Sequence, residues 1–186
     1  MAMLMLVVLV TGCDSGDQDN AEPNQRNALV GRWELRSTCE GLVKSLDRAG
    51  LRAIAPSVAG DYFPSETQYQ LAHKRDVCRG AEPQRHAQFF TAEGEFGSLN
   101  QNGDKEGDNS PYRVFDARTL RIAGPYREYY RYRIEGGDRL TPEPIVPKEA
   151  RRAARANPLE WGQAAHMASV AYAGHTWKRV DCGIWC

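Results

Sequence analysis

A surplus of charge is the first thing this chain lacks: 24 Lys and Arg residues balance 24 Asp and Glu residues over 186 positions, and the basic ones are scattered. Without a long-range positive field or a basic stripe, nucleic acid is not expected as a partner. The densest basic cluster, Arg151, Arg152 and Arg155, falls on a helical-looking segment, where a solvated face is a better reading than a lipid contact. Long apolar runs are missing too. The stretch Met1 to Val10 is half the ~20 residues that a membrane-spanning helix needs. His73, His86, His166 and His175 stand singly and no C-x₂-C pair occurs, so neither a metal nor any other cofactor is expected. There is no G-x-S-x-G, H-E-x-x-H or P-loop spacing, and the chain is not expected to be an enzyme. His86 with Glu93 or Glu95 is an acid–base pairing to name, although neighbouring strands bring such pairs together routinely. The Asn100 to Asp108 stretch matches a calcium loop in composition only and reads as turns.

What is present begins with Val10-Thr11-Gly12-Cys13, which closes the apolar run. This segment resembles the lipobox of bacterial lipoproteins, in which a peptidase cuts before the cysteine and the thiol carries a diacylglycerol. The rival is an ordinary secretory signal. The resemblance implies a signal peptide over residues 1–12, lipidation at Cys13, and an extracytoplasmic body lipid-anchored to the bacterial cell membrane. The Lys or Arg that opens most such leaders is missing, which leaves the expectation of a start upstream of Met1.

Residues 13–27 form the expected tether. Asp14 to Asn27 is rich in Asp, Asn and Gln, has little to bury, and would hold a body on the order of 20 Å from a bilayer. Residues 28–186 are then one domain, of ordinary single-domain size and without visible repeats. Apart from Cys13, four cysteines remain: Cys39, Cys78, Cys182 and Cys186. An even number in an exported chain reads as two disulfides. Three pairings are open, and Cys39–Cys78 with Cys182–Cys186 is preferred because each joins neighbours along the chain.

The domain reads as strands with helical insertions. In Val30 to Arg36, Trp33 and Leu35 fall on one face and Arg32, Glu34 and Arg36 on the other, which predicts a half-buried strand. Ser37 followed by Glu40 has the form of a capping box, and Cys39, Leu42, Val43 and Leu46 recur at helical spacing until Gly50. From Arg85 onward short alternating runs separated by Glu93-Gly94 and Asn102-Gly103 predict hairpins. The last of them sets Tyr130, Tyr132 and Ile134 opposite Arg131, Arg133 and Glu135. Leu140 to Pro147 is Pro-rich and suits an edge or loop better than a central strand. Lys148 to Ala165 reads as helix, interrupted and restarted at Asn157-Pro158. Met167 to Tyr172 either continues that helix or forms a strand turning at Ala173-Gly174 into His175 to Val180, and the hairpin is preferred. Residues 60–77 stay open between strand and helix.

Gly31-x-Trp33 on the first strand, a helix after it, a meander of hairpins and Trp177-Lys178-Arg179 on the last strand together resemble the lipocalin and wider calycin group. The closer likeness is to small actinobacterial lipoproteins with a lipocalin-like body. The resemblance implies an up-and-down antiparallel β-barrel of eight to ten strands, mainly β with helical insertions, closed by Trp33 packing against Arg179. An interior of this size is either filled by side chains or holds one small ligand. The inward candidates are Phe90, Tyr112, Leu120, Tyr130 and Tyr132, with Ile134. They are core, or their hydroxyls orient a small hydrophobic or amphipathic ligand. If they are core, the alternative is an envelope interaction or scaffold protein with a filled barrel, its protein partner unspecified by the sequence.

Overall fold

A computed structural model describes residues 28–63, 76–100, 102–158, 162–171 and 175–180. Eight antiparallel strands close a barrel in chain order: β1 (Gly31–Ser37), β2 (Gln84–Phe90), β3 (Glu95–Leu99), β4 (Ser110–Asp116), β5 (Thr119–Ala123), β6 (Arg127–Glu135), β7 (Arg139–Pro144) and β8 (Trp177–Arg179). The expected up-and-down barrel with helical insertions is therefore what the chain forms. Four helices are described, α1 (Cys39–Arg48), α2 (Ala55–Tyr62), α3 (Lys148–Ala156) and α4 (Gln163–Ala171), with a 3₁₀ turn at Arg52–Ile54 before α2.

Connectivity gives the barrel two unlike ends. Tight hairpins join β2 to β3, β4 to β5 and β6 to β7 at the lower end, where the chain also passes from Ala28 into β1 and leaves β8 at Val180. Gly136 and Gly137, with φ of 61° and 76°, supply the two left-handed residues that the turn from β6 to β7 requires. The helical connections from β1 to β2 and from β7 to β8 lie at the upper end.

Alternation decides what fills the middle. The pairings Gly31↔Phe90, Phe90↔Phe96, Val114↔Leu120, Leu120↔Tyr130, Tyr132↔Pro142 and Ile134↔Leu140 put all of these side chains on the inner face. Phe90, Phe96, Tyr112, Leu120 and Tyr130 join Trp33 and Leu35 in one buried cluster. Burying each such side chain stabilises the fold by about 1.5–3 kcal/mol. A smaller cluster of Ala87, Phe89 and Leu99 lies on the outer wall, with the Lys105 ammonium 4.9 Å from the Phe89 ring.

Four local readings need correction. The N-cap of α1 is Thr38, whose hydroxyl accepts from the Gly41 N–H; Ser37 is instead the last residue of β1, buried on its inner face. Met167 to Ala171 belongs to α4 and not to a hairpin, because Ala164, Met167, Ala168 and Val170 bury one side at helical spacing and alanine favours helix. Asn157 ends α3, its N–H donating to the Ala153 carbonyl, and the next described helix opens at Gln163. The Pro-rich stretch forms barrel strand β7. Its Ile145 N–H donates to Tyr129, so odd residues face β6, while Pro142 and Pro144 face the side where β8 pairs only with Arg139 and Leu140. Their missing N–H groups therefore interrupt no ladder.

Helix α2 and its 3₁₀ lead-in have no counterpart in the sequence reading of residues 51–59, although Leu51, Ile54, Ala55, Val58 and Ala59 are all buried at helical spacing and Pro56 stands in the first turn. Residues 64–75 of the open segment lie outside the described residues, as does the proposed Cys182–Cys186 pair. Cys39 and Cys78 do form a disulfide, with a Cα separation of 5.3 Å, tying the start of α1 to the approach to β2. Closing a loop over a sequence separation of 39 contributes about 4 kcal/mol by chain entropy. Reduction, or Cys39→Ala with Cys78→Ala, is expected to lower urea stability by about that amount, and a loss under ~1 kcal/mol would show that the loop is held otherwise.

Candidate functional site

The lower end of the barrel is shut. Trp33 and Arg179 are partners across the β1–β8 junction, and the Arg179 guanidinium lies 4.5 Å from the Trp33 ring centroid. Trp33 is fully buried and its indole N–H donates to the Leu29 carbonyl at 2.7 Å, while Arg179 donates to the Ala28 carbonyl. Beside this contact the aromatic layer is tightly packed. Phe90 meets Phe96 with centroids 4.9 Å apart and Tyr112 edge-on at 5.0 Å. The tyrosine hydroxyls are engaged by the barrel itself: Tyr112 with the Thr91 carbonyl at 2.8 Å, Tyr130 with the Glu128 carboxylate at 2.7 Å, and Tyr132 with the Asp116 carbonyl at 3.4 Å.

A cavity of about 430 Å³ opens at the upper end. Its lining does not include Phe90, Tyr112, Leu120, Tyr130 or Tyr132, all of which lie in the packed core. It is built instead from the upper half of the same inner face. Because Trp33 pairs with Gln88 and Leu35 with His86, the side chains of Gln84, His86 and Gln88 point inward. Ser98 stands across from Gln88, and Asn100 and Asp108 continue the wall in the connection from β3 to β4. Tyr62 from α2, His166 and Val170 from α4, and Trp177 from β8 also line it, together with Arg85, Ala87, Leu99 and Glu106. The signal missed in the sequence was the alternation Gln84, His86, Gln88, which places polar groups on a core-facing strand.

Helix α4 lies across this opening and is held at both ends. Gln88 Nε2 donates to the Val170 carbonyl at 3.1 Å, and His166 Nδ1–H lies 2.8 Å from both oxygens of Glu128. Glu128 has no exposed surface, so its carboxylate depends on Tyr130 and His166 for solvation. The hydrogen bond to Glu128 raises the His166 pKa against the opposing effect of burial, and Asp108 pushes in the same upward direction. Burial, reinforced by Glu128, raises Tyr130 well above its ordinary value. Burial lowers His86 to about 4, and Tyr62 packs edge-on against its ring at 5.3 Å. The site thus sets two imidazoles, one pushed down and the other up, beside one space.

Other sequence candidates come out separately. His86 is at the upper end, whereas Glu95 lies near the foot of β3, ion-paired with Lys105 at 2.6 Å, and Glu93 is in the turn below it. Asn100 Oδ1 accepts from the backbone N–H groups of Asn102 and Asp104, both at 2.9 Å, as turn chemistry requires. Among the described residues no cluster of three or more His, Cys, Asp or Glu side chains is arranged to hold a metal, and no helix is long and apolar enough to cross a membrane. Comparison with protein-family models, curated proteins and solved structures finds no match.

The two histidines of the site give stability opposite dependences on pH. His166 has a raised folded-state pKa, so its contribution is complete below about 6.5 and is lost as pH rises through that raised value. His86 is held neutral: below about 6.5 the unfolded chain takes up a proton that the folded chain refuses until about 4. Stability from this group therefore falls between those two values, by up to about 3 kcal/mol. Urea titrations across this range are expected to show His86→Gln flattening the acid limb and His166→Gln removing the alkaline one. An unchanged profile in both variants would contradict these assignments.

Proposed function

We propose that this protein is a lipid-anchored, extracytoplasmic binding protein of the lipocalin-like kind, held to the bacterial cell membrane through Cys13, with a small polar or amphipathic molecule as ligand. The cavity at the upper end of the barrel carries this reading. At about 430 Å³ it is within the range of small-molecule sites, and it is walled on the remaining sides by the packed core and by α4. A purely hydrophobic ligand suits it poorly. Gln84, Gln88, Ser98, Asn100 and Asp108 line it, and a hydrophobic ligand would cover the hydrogen-bonding positions they keep beyond the bonds they already make to one another and to the backbone. Tyr62, Val170 and Trp177 provide the apolar surface that an amphipathic molecule would cover.

Binding without chemistry accounts for the buried polar network. Glu128 and His166 fasten α4 over the opening, which gives them a positioning role in shaping the cavity. The filled lower barrel supports the second reading, an envelope scaffold that retains nothing.

Native mass spectrometry of the protein released from cell envelopes discriminates the two. The wild-type chain is expected to carry an adduct, on the order of a few hundred daltons for a cavity of this size. Ser98→Trp, which fills the cavity, is expected to lose the adduct, and Tyr112→Phe, in the packed layer, to keep it. An unliganded wild type supports the scaffold instead, and equal retention by all three would contradict this cavity as the binding site. In the same preparation Cys13→Ser should move the protein to the soluble fraction, and retention on the membrane would contradict the anchor.

A further inference from the structure

Donors and acceptors are unevenly left over around the upper cavity. The donors are largely spent inside the protein. Gln88 Nε2 donates to the Val170 carbonyl at 3.1 Å, the Ser98 hydroxyl donates to Asp108 at 2.7 Å, and His166 Nδ1 lies 2.8 Å from Glu128. Arg85 turns both Nε and Nη2 onto Glu34. Acceptors are what remain. The Val170 carbonyl fixes which way the Gln88 amide points, and the oxygen at its other end accepts no hydrogen bond among the described residues, although Gln88 is only 8% exposed. The Glu106 side chain makes no hydrogen bond or ion pair among the described residues, and Asp108 keeps lone pairs beyond the two bonds it accepts from Ser98.

Charge leans the same way. Arg85 shares Glu34 with Arg32, any proton on His166 is matched by Glu128, and burial keeps His86 neutral down to about 4. Of these groups one positive charge is left over, on the arginine pair, against the two negative charges of Glu106 and Asp108. A metal ion does not fit the arrangement, since among the described residues no three His, Cys, Asp or Glu side chains are grouped to hold one. Tyr62 and Val170 add carbon surface to the same wall.

We infer that the ligand of this cavity is an organic ammonium, a molecule with a charged head that only donates hydrogen bonds and an apolar body. The inference rests on the cavity's being a binding site and deepens that reading. An ammonium has up to three donors and no acceptor, so it matches Gln88 Oε1 and the carboxylates without competing for the donors that hold α4 and the Ser98–Asp108 contact. A carboxylate or phosphate brings acceptors to acceptors and negative charge to negative charge. Glu106 and Asp108 are exposed and attract the cation from solvent, and Gln88 gives it an acceptor away from water.

The test titrates the full chain carrying Cys13→Ser with 2-phenylethylamine and, as its uncharged match, 2-phenylethanol, both followed calorimetrically at neutral pH. The amine is expected to bind about tenfold more tightly, the scale of one charge-assisted hydrogen bond in a partly desolvated site. Glu106→Gln with Asp108→Asn should remove most of that preference. Glu106→Gln alone, which breaks no bond within the protein, should lower it severalfold with the fold intact. Glu93→Gln with Glu149→Gln changes net charge equally at exposed positions outside the cavity lining and should leave the preference as it was. An amine that binds no better than the alcohol, or a preference that the second pair removes equally, overturns the inference. The adduct carried by the wild-type chain separates this failure from that of the underlying reading. Once released by acid, it should be retained on a cation exchanger at pH 7. A neutral or acidic adduct overturns the ammonium assignment and leaves the cavity a binding site, whereas a chain with no adduct and no affinity for either probe overturns both.

Discussion

The stack of Arg179 on Trp33 is the contact on which the rest of the molecule depends, because the barrel closes there with very little backbone pairing. β8 is three residues long and meets β1 at only two pairs, Trp33↔Arg179 and Glu34↔Lys178. Such a short ladder supplies few hydrogen bonds, and side chains must complete the closure. Arg179 does so through the indole face and the Ala28 carbonyl, and Trp33 through the Leu29 carbonyl, so one pair joins the first strand, the last strand and the residues before the barrel. A planar guanidinium suits this geometry, since it stacks and donates at the same time.

Shutting one end fixes what the other can be. The eight-stranded interior has room for side chains or for a single small guest. Its lower part is taken by Phe90, Phe96, Tyr112, Leu120 and Tyr130, and the cavity opens where the inner face turns polar at His86 and Gln88. The helices of the two long connections gather at that end, and the Cys39–Cys78 disulfide anchors the first of them. Glu128, buried and dependent on Tyr130 and His166, makes the position of α4 specific, because moving the helix would strand its carboxylate.

Much of the barrel was legible in the sequence, for a simple reason. Strand side chains repeat with period two, and runs such as Trp33 with Leu35 or Tyr130 with Tyr132 and Ile134 state their inner face outright. The closing pair and the Cys39–Cys78 bridge were legible as well, the first through resemblance and the second through spacing. Helix α4 was not, because Ala and Val at its end fit either period and the glycine beyond it imitates a hairpin turn. β7 was obscured by its prolines, which are harmless only because β8 is too short to need their N–H groups. The cavity was the largest omission. Attention fell on aromatic residues, but aromatics fill space, and the free volume lies where smaller polar side chains replace them on β2 and β3.

The most direct test is a double-mutant cycle on Trp33→Leu and Arg179→Gln, with each variant and the pair measured by urea unfolding. Closure through their contact predicts a coupling of about 1–2 kcal/mol, as for a desolvated cation on an aromatic face. Effects that simply add, to within about 0.3 kcal/mol, would mean that the two side chains do not hold each other and that the barrel is closed by other means.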